Sequence, residues 1–223
     1  MDRKVPLVPA DEAAARAQRD LVRRGYDVIS RAYRTDDGAS HPSTGEDPGR
    51  YRDWVAELAA LLPARARVVD LGCGAGVPGT LALTEWGLDV LGVDFSAVQL
   101  ARAVRLVPAA RFVRAYMAEF QLCPASVDAV TAFYSLIHLP LADQRVLLPR
   151  IRAWLRPGGR LLAVVGAARW TGTEPYLGAD MFWDHADTQA YLRWFRESRL
   201  VPVWHRFISE GNAGHGLILA TAR

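Results

Sequence analysis

Val68-Val69-Asp70-Leu71-Gly72-Cys73-Gly74-Ala75-Gly76 is the stretch that decides how this chain is read. Valines and a leucine around an aspartate predict a short buried strand over 67–71, and the run then breaks into alternating glycines. Glycine admits left-handed backbone and lets a ligand approach without meeting a side chain. In an open parallel sheet, ligands bind beyond the carboxyl ends of strands, where this turn sits.

Outward from that turn, strand and helix signals alternate. A helix is expected over 81–86, a strand over 88–93 ending in Asp94, and a helix capped by Ser96 and running to 106. Further strands are expected over 111–114, 128–134 and 160–165. A helix over 143–155 is stopped by Pro157-Gly158-Gly159. Pro149 should kink or shorten that helix. Residues 166–187 read as a Gly/Thr-rich insertion and 188–198 as a helix. Strands over 201–209 and 215–221 flank the turn Glu210-Gly211-Asn212. Strands alternating with helices imply a parallel sheet covered on both faces, and the closing hairpin implies an antiparallel edge strand. Upstream, 10–33 and 51–62 carry helical periodicity. Residues 34–49 are dense in turn formers and read as a mobile loop. The chain divides into an N-terminal helical cap and loop, 1–50, and one compact unit, 51–223.

Two ligands compete for the glycine turn. Gly74-x-Gly76-x-x-Gly79 formally matches a dinucleotide fingerprint. However, Asp94 follows Gly79 by only 15 positions, and Asp70 ends the first strand itself. A carboxylate there repels a pyrophosphate but suits a ligand carrying a cationic amino acid and a sulfonium.

Four motifs then complete a pattern: the glycine stretch, Val90-Leu91-Gly92-Val93-Asp94-Phe95-Ser96, Val127-Asp128-Ala129-Val130, and Leu155-Arg156-Pro157-Gly158-Gly159-Arg160-Leu161. In this order the sequence resembles the class I S-adenosylmethionine-dependent methyltransferases, strongly over residues 50–165. The resemblance implies a Rossmann-like, seven-stranded, mostly parallel sheet with helices on both faces. It implies S-adenosylmethionine as cofactor and S-adenosylhomocysteine as product. Asp70, Gly72, Cys73, Gly74 and Gly76 would line the methionine portion, Asp94 would take both ribose hydroxyls, and Phe95 would pack on adenine. Met117 and Ala118 fit the adenine slot. Tyr116 stands where many members carry an acid, a departure that bears on cofactor affinity. Tyr33 and Tyr26 would close over the site as a tyrosine-bearing N-terminal cap does in similar enzymes.

The acceptor side is less patterned. His138 is a candidate base because imidazole titrates near neutrality, and His185 is a second. The aromatic segments around Trp170 and Trp183, with Tyr134 and His215, suit a pocket for a flat or apolar small molecule. The expected function is methyl transfer to a small molecule, a specialised metabolite of natural-product biosynthesis. The alternatives are a cofactor-binding relative without transfer and a nicotinamide-dependent oxidoreductase.

Composition bounds the rest. The chain has 223 residues, 51% of them hydrophobic, which excludes a disordered or disulfide-scaffolded protein. Lys4 is the only lysine among 27 basic residues, and the formal charge is only +3. The arginines, Arg102, Arg105, Arg150, Arg152, Arg193 and Arg196 among them, are interleaved with acids. They read as solvated helix faces rather than a nucleic-acid stripe. No leader, membrane span or metal-ligand spacing is expected, and two isolated cysteines point to the cytoplasm. A monomer or a homodimer is consistent with the sequence.

Overall fold

Val68 and Val69 are neighbours in sequence but face opposite layers, as strand alternation requires. The computed structural model describes residues 9–211 and 213–223. The opening residues of the helical cap and Asn212 lie outside the described residues. Strand β1 (Arg67–Leu71) sits in a sheet with β2 (Asp89–Asp94), β3 (Arg111–Arg114), β4 (Val127–Ala132) and β5 (Leu155–Gly166). The sheet is completed by β8 (Leu200–Glu210) and β9 (Ala213–Ala222), and the strand order is β3-β2-β1-β4-β5-β9-β8. The first five strands run parallel, β9 pairs antiparallel with β5, and β8 at the edge pairs antiparallel with β9.

Helices cover both faces. Val68, Val90 and Ala129 pack under α2 (Gly49–Ala59) and α3 (Gly79–Glu85), through Trp54, Val55, Leu58 and Leu83. Val69, Val93 and Val130 pack under α5 (Leu141–Trp154) and α6 (Thr188–Glu197), through Leu147, Ile151, Trp154 and Phe195. Fully burying each such side chain contributes on the order of 1.5–3 kcal/mol. The sheet is therefore the part of the molecule that holds everything else in place.

Helix α4 (Ala97–Leu106) is capped by the Ser96 hydroxyl, which accepts from the Gln99 N–H at 3.0 Å. Helix α1 (Pro9–Tyr33) packs on α4 and on a separate hairpin formed by β6 (Trp170–Tyr176) and β7 (Ala179–His185). The stretch 166–187, read from sequence as an irregular insertion, is thus mostly a regular antiparallel ribbon. Gly178, at φ +94°, makes the tight turn between its strands.

Three further expectations are corrected. Pro149 does not shorten α5, which runs through it to Trp154. The 34–49 segment, read as mobile, is tied down by a buried pair between Arg34 and Glu46 (2.5 Å) and by a short 3-10 turn at Pro42–Thr44. Arg102 is not a solvated face but is 6% exposed. Its guanidinium donates to the Ser30 carbonyl (2.6 Å), the Arg34 carbonyl (2.7 Å) and Asp36 (2.7 Å). A planar group that spreads five donors over three nitrogens can reach all three at once, where a lysine would have to serve them from a single nitrogen.

Candidate functional site

The carboxyl ends of β1, β2 and β4 converge on a cleft roofed by α1. Gly72, at φ +70°, leaves β1 beneath it. A Cβ added there would lie 2.3 Å from the Ser135 Cβ. Gly74, at φ +55°, is the opposite case, because a Cβ there would meet nothing within 4 Å. The backbone at Gly74 therefore borders open space that a ligand can fill.

Asp94 ends β2 with both carboxylate oxygens oriented. Oδ2 accepts from the Gly74 N–H (2.9 Å) and Oδ1 from the Ser96 N–H (2.8 Å). Asp70 accepts from the hydroxyls of Thr80 (2.6 Å) and Thr131 (2.8 Å). Both acids are nearly buried, and among the described residues neither has a basic partner. Burial pushes each up to about 6. Two unpaired buried carboxylates beside an open glycine turn form a site built to receive hydroxyl donors and positive charge.

Phe95, Tyr116 and Met117 line the same cleft, and the Phe95 and Tyr116 ring centroids lie 5.9 Å apart. The Tyr116 hydroxyl donates to Asp143 at 2.7 Å, and the Arg19 guanidinium stacks over its ring at 4.4 Å. Burial and the Asp143 carboxylate hold that phenol well above the usual range. Cys73 lines the adjoining recess with Asp70, and burial raises its thiol well above normal. Ala118 lies behind the wall, its carbonyl accepting from Arg150.

Beyond Tyr26, Tyr33, Tyr134 and His138, which face both spaces, lies a second cavity lined by Trp183, Glu210 and His215. His138 is fully engaged: Nδ1 meets the Phe182 carbonyl at 2.9 Å and Nε2 the Tyr26 hydroxyl at 2.8 Å. Burial lowers it to about 4. His138 therefore stays neutral near pH 7 and has no idle nitrogen with which to take a proton. His185 lies outside both cavities, with Nδ1 on the Ala168 carbonyl at 2.7 Å. Trp170 is 44% exposed and lines neither.

Sequence reasoning missed Glu46 and Glu210, which line the second cavity, and Gln99, which lines the first. Glu46 sits in a stretch of turn formers and Glu210 beside a turn, so neither had a periodic signal. No group of three or more His, Cys, Asp or Glu able to hold a metal ion exists among the described residues. No described helix is long and apolar enough to cross a membrane.

Comparison with known proteins gives this arrangement a context. Residues 68–159 match the family described as a methyltransferase domain. Over 112 residues the chain is 40% identical to trans-aconitate 2-methyltransferase of Delftia acidovorans, a match covering 48% of this chain and 41% of that protein. Over another 112-residue match it is 38% identical to 27-O-demethylrifamycin SV methyltransferase of Amycolatopsis mediterranei, covering 47% and 40%. The chain thus spans less than half the length of these two relatives. A solved structure of 1,6-didemethyltoxoflavin-N1-methyltransferase from Burkholderia thailandensis, with 1,6-didemethyltoxoflavin and S-adenosylhomocysteine bound, aligns with a TM-score of 0.66 at 24% identity. That alignment covers 100% of this chain and 93% of that one, which supports the fold.

Proposed function

The chain belongs to the class I S-adenosylmethionine-dependent methyltransferases, and on that premise we propose that it moves a methyl group from S-adenosylmethionine to a small-molecule acceptor. The carrying observation is the pair of adjoining cavities. One is lined by glycines and the unpaired Asp94, with Asp70 in the adjoining recess, and the other by aromatic rings, and four side chains are common to both.

The residues fit the cofactor. Asp94 would accept from the ribose hydroxyls, the open backbone at Gly74 would carry the methionine portion, and Asp70 would face its positive charge. Phe95 and Met117 would enclose the adenine. The cofactor supplies an already activated methyl group, so the protein's task is to orient the acceptor and exclude water. Tyr26, fixed by His138, and Tyr33 form the partition between the cavities and would aim the acceptor across it.

Names of relatives that act on rifamycin and toxoflavin precursors support a specialised-metabolite acceptor. Free thiols at Cys73 and Cys123 support a reducing, cytoplasmic setting. An aromatic-lined cavity, with arginines engaged in scattered acid pairs, supports a small molecule over nucleic acid.

Calorimetry with S-adenosylhomocysteine tests the reading, with one binding event per chain expected. Radiolabel from S-adenosylmethionine should then enter a small-molecule fraction of cell extract. Absence of binding, or binding of a nicotinamide dinucleotide instead, overturns the reading. Cofactor binding without transfer to any extract would support the non-transferring relative, whose motive is Tyr116.

The acids also set a pH dependence. A carboxylate raised in the folded chain binds protons more tightly there than when unfolded. Asp70 and Asp94 therefore favour folding as pH falls from about 6 towards 4, and oppose it above 6. Ligand binding has the reverse requirement, because hydroxyl donors and a cation favour the charged acids. Affinity for S-adenosylhomocysteine should fall at least about tenfold from pH 7 to pH 5, measured by calorimetry.

A further inference from the structure

The second cavity contains a proton-accepting device that the cofactor side does not need. His215 is the third residue of β9, opposite Gly166 at the end of β5. Its Nδ1 lies 2.8 Å from Oε2 of Glu210, and the Glu210 side chain is only 6% exposed. The Tyr134 hydroxyl donates to the other oxygen, Oε1. Tyr134 holds φ +53°, a left-handed conformation that a tyrosine adopts only under constraint from its surroundings. Its ring stands edge-on to the imidazole, centroids 5.1 Å apart.

This geometry fixes the tautomer. A carboxylate that already accepts from Tyr134 offers its second oxygen only to a donor, so Nδ1 carries a hydrogen, and in the neutral imidazole Nε2 is the bare nitrogen. Among the described residues, Nε2 of His215 has no hydrogen-bond partner. Of the cavity's two histidines, only His215 combines a carboxylate on one ring nitrogen with a second nitrogen left unengaged among the described residues. Glu210 would also stabilise the imidazolium that forms on proton uptake.

The walls restrict the acceptor. Tyr176 and Trp183 meet edge to face at 5.4 Å and, with Tyr33, give flat apolar surfaces. No arginine or lysine lines the cavity among the described residues, while Glu46 and Glu210 do. A polycarboxylate would meet no free cation, because the nearby Arg34 is already bound to the Glu46 carboxylate.

We propose that this cavity takes a neutral, planar acceptor with an acidic hydroxyl, a phenol or an enol, and that His215 removes its proton. The proposal rests on the methyltransferase reading above. The acceptor O–H bond breaks with its proton passing to Nε2. The oxygen forms a bond to the methyl carbon, and the C–S pair returns to sulfur, leaving the thioether neutral. His215 is the catalytic base and Glu210 its positioning residue.

The test incubates the whole chain with S-adenosylmethionine and either 1-naphthol and quercetin, as planar hydroxyl probes, or trans-aconitate. Products are read by mass spectrometry and S-adenosylhomocysteine affinity by calorimetry. Methyl ethers of the hydroxyl probes are expected, with trans-aconitate untouched. H215Q should lose about 100-fold or more in kcat with unchanged S-adenosylhomocysteine affinity. E210Q should lower kcat more than it raises KM. Nitrogen-15 spectra of the wild-type chain should show His215 protonated at Nδ1 alone, and E210Q should lose that preference. A methyl ester of trans-aconitate, full turnover in H215Q, or a wild-type His215 bare at Nδ1 overturns the proposal. S-adenosylhomocysteine binding without methylation of either hydroxyl probe overturns the acceptor class alone. Failure to bind S-adenosylhomocysteine overturns the reading beneath it.

Discussion

Asp94→Ala is expected to weaken S-adenosylhomocysteine binding by about 100-fold or more in calorimetry. A carboxylate that accepts two hydroxyl donors contributes two hydrogen bonds to a charged group, each on the order of 1.5–3 kcal/mol, and about 3 kcal/mol is already two decades of affinity. Asp94 adds preorganisation to that direct term. Its oxygens are held by the N–H groups of Gly74 and Ser96, so the glycine turn and the head of α4 are both fastened to the same side chain. Asp94→Asn keeps the volume but loses the charge and one acceptor, and should fall between wild type and alanine. Affinity unchanged in both variants would remove Asp94 from the cofactor site.

Gly72→Ala should be the most damaging single-methyl change at the site, and its damage should appear as lost stability. The new Cβ would lie 2.3 Å from Ser135 Cβ, closer than real Cβ atoms approach, and at φ +70° an L side chain is strained whatever the space. Backbone strain of about 1–2 kcal/mol and overpacking of about 1–3 kcal/mol together predict a loss near 3 kcal/mol. For a domain of this size that is a fall of roughly 6–12 °C in Tm, read by scanning calorimetry. Gly74→Ala makes the control. Its φ is also positive, but its Cβ would meet nothing. It should therefore keep more of the stability while still narrowing the space for a ligand.

The glycine-and-acid cleft, where the cofactor is proposed to sit, was legible in the sequence because each of its parts is local. Asp70, Gly72 and Gly74 follow one strand, and Asp94 and Ser96 end and cap the next elements, so spacing alone carries their relation. The parallel order, the two covered faces and the closing hairpin followed from alternation of short apolar runs with helices. The acceptor half was not legible, because its residues meet only after distant segments fold together. Glu210 and His215 look like residues around a turn until the β8–β9 register brings them within a hydrogen bond. His138 looks like an available base until Tyr26 and the Phe182 carbonyl take both its nitrogens. The β6–β7 ribbon alternates too weakly to announce itself, since most of β6 is exposed on both faces.

The roof has a consequence for how such a protein changes. Helix α1 and the β6–β7 ribbon grip each other through Val22, Ile29, Met181 and Phe182, apart from the main sheet. Both lie outside residues 68–159, the stretch common to the matched family. So do Glu46, Glu210 and His215. Of the side chains around the second cavity, only Tyr134, Ile137 and His138 come from the common stretch. Taste and appetite are thus written in separate passages of the chain. On the reading proposed above, a descendant can exchange its acceptor by rewriting its two ends while Gly72, Gly74 and Asp94, inside the matched stretch, stay as they are.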